Sequence, residues 1–363
     1  MVEKIVNTTE ITREIQTLDV PQDAIIDVRD LRKVYAGGVE AVKGISFYVR
    51  EGEFFGFLGP NGAGKSTTIK ILITLLGRTG GTATILGRDV NAESTLVRRL
   101  IGYAAQEASP DDDLTGRENL NIQGNLYHID KAVLRQRIEE LIELMDLQEA
   151  ANRRVGTYSG GMRKRLDLAC ALIHRPRILF LDEPTTGLDP QNRAGLWKYL
   201  ERLNKQERLT IFLTTHYMEE ADRLCERLAI IDGGTIIAEG SPTELKARLG
   251  GDVITLSFKN NEMSVEEQAK RAQEALQGQS FLRSATVSTE NNLTIVVENG
   301  TEAVPQVMRL MDNLGLPVAG LNLTSPSLDD VFLKYTGMRI RQDDPVAYTP
   351  GGGRGPWAAR RRR

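Results

Sequence analysis

Gly59-Pro60-Asn61-Gly62-Ala63-Gly64-Lys65-Ser66-Thr67 follows directly on the apolar run Phe54–Leu58. The spacing is G-x-x-x-x-G-K-[ST], a phosphate loop between a strand and a helix. Glycines let the backbone curl until successive N–H groups converge on one anion. The helix that follows turns its positive end to the same point. A nucleoside triphosphate suits this arrangement. Gly59, Asn61, Gly62, Gly64 and Thr67 belong to the cradle, Lys65 reaches the β- and γ-phosphates, and Ser66 offers a hydroxyl to Mg²⁺. A chance glycine-rich turn would not also bring the strand before it and the helix after it.

The rest of the chain sets bounds on what this loop serves. With 363 residues there is room for two domains, or for one with an appendage. A net charge of −3 gives no global pull toward nucleic acid or anionic lipid. Cys170 and Cys225 lack metal-ligand spacing and read as two buried thiols of a reducing cytosol. No run approaches the roughly 18 apolar residues of a membrane span. The polar N-terminus lacks a signal-peptide core. Any membrane crossing is therefore expected of other subunits.

Working outward, strands are expected at 24–28, 44–49, 82–86 and 101–105, with a helix over 66–76. Residues 115–152 read mostly as helix, with Leu134, Ile138, Leu141, Ile142 and Met145 on one face. Residues 177–181, apolar from Ile178 onward, read as a buried strand of parallel-sheet type. Gly233-Gly234 fits the primed turn of a hairpin. After Gly250-Gly251 the order β-α-β-β-α-β, from 253 to 323, is that of a ferredoxin-like split unit. A short helix over 327–335 is expected to close it. The expected organisation is a flexible extension (1–23), an α/β nucleotide-binding domain (24–249) with a helical subdomain near 107–175, a small α+β domain (250–338) and a basic tail (339–363). The tail reads as disordered and solvated. Weak contact of its four terminal arginines with anionic headgroups is the alternative.

Four further elements surround the loop. The strand 178–181 runs into Asp182-Glu183. At the carboxyl end of a parallel sheet Asp182 can hold Mg²⁺ through its water shell, and Glu183 can serve the attacking water as base or positioner. Ser159-Gly160-Gly161 before a helix makes a second anion site through a hydroxyl cap and free backbone N–H groups. His216, at the end of the strand 209–215, can donate to a γ-phosphate oxygen. Gln106, after the strand 101–105, carries an amide oxygen able to ligate Mg²⁺. Taken singly, each also reads as an ordinary cap or strand end; the order of all of them is the signal.

That order, from the phosphate loop through Gln106, Ser159-Gly160-Gly161, Asp182-Glu183 and Gly187-Leu188-Asp189 to His216, closely resembles the nucleotide-binding subunit of ABC transporters over about residues 24–245. The resemblance implies a P-loop ABC-type fold in which two cassettes sandwich two ATP molecules head to tail. A homodimer satisfies this by two-fold symmetry. It also implies that Tyr35 stacks on adenine and that Asp189 lies at the dimer interface. The segment near Gln106 and the helical middle are implied to receive a separate polytopic membrane subunit. The usual signature Leu-Ser-Gly-Gly-Gln is here Tyr158-Ser159-Gly160-Gly161-Met162. That variant, the run 214–222 and Ser327-Leu328-Asp329-Asp330-Val331-Phe332-Leu333 are similar to daunorubicin-resistance-type ATPases. The implied role is ATP-driven export of drugs or antibiotics, from the cytoplasmic face of the membrane. Lipid, polysaccharide or ion cargo is the alternative. Ribosomal and DNA-acting relatives fit poorly, because the chain has one phosphate loop, no long heptad arms and no basic aromatic-studded surface. The region after 250 carries no catalytic constellation, and extension of the dimer is the preferred reading of it.

Overall fold

The computed structural model describes residues 20–106, 110–259, 263–287 and 292–336. The expectations for the first 19 residues and the basic tail lie outside them.

The chain enters through β1 (Ala24–Val34) and β2 (Glu40–Arg50), an antiparallel pair, then β3 (Phe54–Leu58), which delivers the phosphate loop to α1 (Lys65–Leu72). The helix is shorter than the expected 66–76. Its apolar pattern continues, but the backbone turns away at Thr74, which has φ 68°. After β4 (Gly80–Ile85), β5 (Arg88–Asp89) and α2 (Ser94–Leu100) comes β6 (Ile101–Ala104). The helical middle is two helices, α3 (Gly116–Leu126) and α4 (Lys131–Leu144). Thr115 and Glu118 form a reciprocal capping box on the first, and Asp130 caps the second.

From α5 (Gly160–Leu172) the chain alternates β7 (Ile178–Asp182), α6 (Pro190–Glu207), β8 (Thr210–Thr215), α7 (Met218–Leu224), β9 (Arg227–Asp232) and β10 (Thr235–Gly240). The main sheet has the order β10-β9-β3-β8-β7-β6, parallel except at β10. Every residue of β3, β7 and β8 is buried, as continuous apolar strands covered on both faces should be. Gly233 and Gly234 both have positive φ, as the hairpin turn requires. The first four-stranded sheet, β2-β1-β4-β5, lies against this one through Phe47, whose ring sits 5.7 Å from Phe55 and 5.3 Å from Phe57.

Beyond α8 (Pro242–Ala247) come β11 (Asp252–Phe258), α9 (Val265–Leu276), β12 (Leu282–Val287), β13 (Leu293–Val297), α10 (Gly300–Asn313) and β14 (Val318–Thr324). The antiparallel order β12-β13-β11-β14 is that of the split unit. Ile254, Leu256, Leu293 and Ile295 pack under Ala269, Ala272, Val307 and Met311 in an apolar cluster of their own.

The last helix, α11 (Leu328–Thr336), corrects the sequence reading. It does not close the split unit but packs on α7 and α8. Leu328, Val331 and Phe332 join the cluster that holds Leu224, Cys225 and Leu245. The reason is geometric. Positions i, i+3 and i+4 make one apolar stripe, and α9 and α10 already cover the accessory sheet. Lys334 Nζ also donates to the Arg248 carbonyl at 3.0 Å. Phe332→Ala should therefore cost about 3–5 kcal/mol. The thermal midpoint of the full chain should drop by several degrees, and an unchanged midpoint would mean that the helix is not seated. Among the described residues no helix is long and apolar enough to cross a membrane.

Candidate functional site

Three parallel strands end side by side. β3 ends at Leu58 and passes into the loop, β7 ends at Asp182, and β8 ends at Thr215. Ligands of open α/β sheets bind at such carboxyl ends. The loop closes tightly there. A Cβ on Gly59 would collide with the Ile231 carbonyl. One on Gly64, which has φ +108°, would sit 2.6 Å from the Ala41 carbonyl. Asn61, Gly62, Gly64, Lys65, Ser66, Thr67, Gln106 and Glu183 line a cavity of about 280 Å³.

Lys65 is 3% exposed, so its ammonium needs partners. It donates to the carbonyls of Gly59 at 2.7 Å and Pro60 at 3.1 Å, and pairs with Glu183 Oε1 at 3.2 Å. Burial lowers the Lys65 pKa, and the carboxylate of Glu183 offsets part of that. Glu183 Oε2 lies 3.1 Å from His216 Nδ1 and accepts from Gln106 Nε2 at 3.4 Å. Burial works against the charge on Glu183. The bond with His216 and the charge of Lys65 outweigh it and hold the carboxyl below its ordinary pKa. Asp182 Oδ1 accepts from Thr214 at 2.6 Å and from Ser66 Oγ at 3.3 Å. The structure thus brings Lys65, Ser66, Gln106, Asp182, Glu183 and His216 into one polar cluster.

The sequence reading missed two parts of it. His216 and Lys65 grip Glu183 rather than simply facing the ligand. Thr214 steers Asp182, and its signal was the polar end of β8, which lies opposite Asp182 in the parallel register.

Tyr35 stands at the rim, 39% exposed, its hydroxyl 3.3 Å from Thr67 Oγ1. The remaining predicted residues lie elsewhere. Ser159 caps α5, accepting from the Met162 N–H at 3.3 Å. Asp189 caps α6, accepting from the Asn192 N–H at 3.0 Å. Asn192 fills the space beside Gly161, where a Cβ would collide with it. None of Ser159, Gly160, Gly161 and Asp189 lines the cavity at Lys65. Tyr158, at the variant position, is buried. Its hydroxyl donates to the Ala150 carbonyl at 2.7 Å and lies where a side chain on Gly116 would be. The signature is thereby pinned to the helical middle.

A second cleft, about 460 Å³, opens between β6 and the helical middle and includes Tyr103, Asn119, Ile122 and Tyr127. Leu75 and Ile122, which line it, are exposed apolar side chains.

Residues 42–186 match the ABC transporter family, and residues 240–336 match the C-terminal domain of DrrA1-3-like ATP-binding proteins. The chain is 43% identical over 310 residues to the daunorubicin resistance ATP-binding protein DrrA2 of Streptomyces coeruleorubidus, covering 85% of this chain and 94% of that one. It is 38% identical over 320 residues to the Nod factor export ATP-binding protein I of a Rhizobium species, covering 87% and 98%. A dimeric ATP-binding cassette solved in a post-hydrolysis state with ADP and Pi superposes with a TM-score of 0.55 at 28% identity. That match covers 60% of this chain and 98% of the cassette.

Proposed function

Because this chain belongs to the ATP-binding subunits of ABC transporters, in the daunorubicin- and doxorubicin-resistance type, we propose that it powers export of a drug or antibiotic through separately encoded membrane subunits. It binds nucleotide and hydrolyses ATP as its family does. The observation that carries the proposed mechanism is the Lys65–Glu183 pair at 3.2 Å. Triphosphate oxygens entering the cradle compete with Glu183 for the ammonium. Glu183 is then free to orient and polarise the attacking water, with His216 Nδ1 holding its second oxygen. Release of Glu183 is thus tied to arrival of the substrate.

The donor set fits a small divalent cation. Ser66 Oγ and Asp182 Oδ1 lie 3.3 Å apart and are both oxygen donors, which suits Mg²⁺, a cation that keeps waters and phosphate oxygens and takes few protein ligands. Ser66 and Asp182 would hold it, with Gln106 beside them. When bound, Mg²⁺ neutralises charge on the phosphoryl group.

The signature residues Ser159, Gly160 and Gly161 and the capping Asp189 stand outside their own chain's cavity. This supports a head-to-tail homodimer in which α5 of one protomer closes the phosphate loop of its partner. Tyr35 then stacks on the adenine. The cleft at Tyr103 and Ile122 supports docking of a helix from the membrane subunit, which keeps the chain peripheral on the cytoplasmic face. The 43% identity to the daunorubicin relative supports a drug cargo.

The test is capture. Tagged Glu183→Gln chain, trapped with Mg-ATP and purified from solubilised membranes of its own cell, should bring a polytopic membrane protein in stoichiometric amount. Ribosomes, nucleic acid or no membrane protein would overturn the transport reading.

A further inference from the structure

Glu220 takes no part in the chemistry above, yet it is wholly buried on α7, one turn after His216. Its Oε1 accepts from the Trp197 indole Nε1–H at 3.0 Å. Trp197 belongs to α6, the helix that Asp189 caps. Two wholly buried threonines flank the carboxyl. Thr185 lies between Glu183 and Asp189, and Thr215 precedes His216. Thr215 Oγ1 accepts from the Tyr217 N–H at 3.0 Å, and the Arg193 guanidinium of α6 lies 4.3 Å from the centre of the Tyr217 ring. One carboxyl therefore touches the strand end carrying His216, the segment leading from Glu183 to Asp189, and α6.

A plain structural anchor would have both oxygens satisfied, since an unpaired buried polar atom is expensive. Here Glu220 Oε2, Thr185 Oγ1 and Arg193 Nε are all buried without a hydrogen-bond partner among the described residues. Burial pushes the Glu220 pKa up, while the Thr215, Trp197 and Thr185 side chains work against it in part. The Thr185 hydroxyl is near enough to act on the Glu220 carboxyl, yet the two make no hydrogen bond of regular geometry.

We propose that Glu220 is a positioning residue for ATP turnover: its Oε2 takes up the Thr185 hydroxyl as the cassette closes and fixes the Glu183–Asp189 segment against the His216 strand end. This rests on the ATPase reading of the site. It assigns Glu220 no contact with nucleotide, so its loss slows turnover while leaving ATP binding alone.

The test uses the full chain purified with its membrane subunits, measuring kcat, KM for ATP and the thermal midpoint. Thr185→Val keeps the side-chain shape and should lower kcat by about 10-fold or more, because misplacement by about 1 Å can cost 10²-fold. KM and the midpoint should stay near wild type. Glu220→Ala should lower kcat at least as far. The double variant should be no slower than the slower single, as two partners in one bond are non-additive. Glu220→Gln can accept from Trp197 and donate to Thr185, and should recover most of the rate. Wild-type kcat in Thr185→Val, or strictly additive losses, would overturn the proposal and leave Glu220 a core acid. Glu183→Gln is run alongside. Normal turnover there would strike the site reading instead, so the two failures are separable.

Discussion

Glu183→Gln should bind ATP about as well as the wild type and hydrolyse it roughly 10²- to 10⁴-fold more slowly, the usual contribution of a positioned acid–base group. The amide keeps the size of the side chain and can still meet His216, but it carries no charge to polarise water. It also no longer pairs with Lys65, whose Nζ would be left with the Gly59 and Pro60 carbonyls. The ammonium is then more available to phosphate, so ATP affinity should hold or rise slightly. The variant should accumulate as an ATP-bound dimer. Radiolabelled ATP retained on the protein, phosphate release and size-exclusion chromatography read the three quantities together. A variant that turns over normally, or stays monomeric while fully active, would mean that another residue positions the water.

The site was legible to different depths. The phosphate loop declared itself because its chemistry is local: a strand, a glycine curl and a helix lie adjacent in the chain, and their spacing is their geometry. Asp182 and His216 were legible as polar ends of apolar strands. What sequence could not give was the pairing between them. That Lys65 and His216 both hold Glu183 depends on β3, β7 and β8 lying side by side in register, a long-range fact. Glu220 stayed hidden for the same reason, since its Trp197 partner lies on another helix. The four strands of the accessory unit were readable from alternation and turns. The final helix was readable as a helix but not as to its partner. An apolar stripe such as Leu328, Val331 and Phe332 states that a face must be buried and not against what. Tyr158 shows the converse. Its departure from the usual signature residue was visible, but its bond to the Ala150 carbonyl needed the fold.

Lys65→Ala should abolish turnover and weaken ATP binding by roughly 10- to 100-fold, the equivalent of a lost hydrogen bond between charged groups. A second effect follows from burial. Glu183 is 7% exposed and Lys65 is its cationic partner at 3.2 Å. Removing one member of a buried pair strands the other charge and typically costs about 3–5 kcal/mol. The variant should therefore also melt early, and lost activity alone would not distinguish a missing phosphate contact from a loosened fold. The double variant Lys65→Ala/Glu183→Gln separates the two. With no charge left to strand, its thermal midpoint should return most of the way to wild type, while ATP binding stays weak and hydrolysis absent. Titration with a fluorescent ATP analogue beside a thermal melt reads both. A double variant that recovers its midpoint and binds ATP normally would remove Lys65 from the phosphate site. One that stays as unstable as Lys65→Ala would show that the ammonium is needed by the loop carbonyls of Gly59 and Pro60 more than by Glu183.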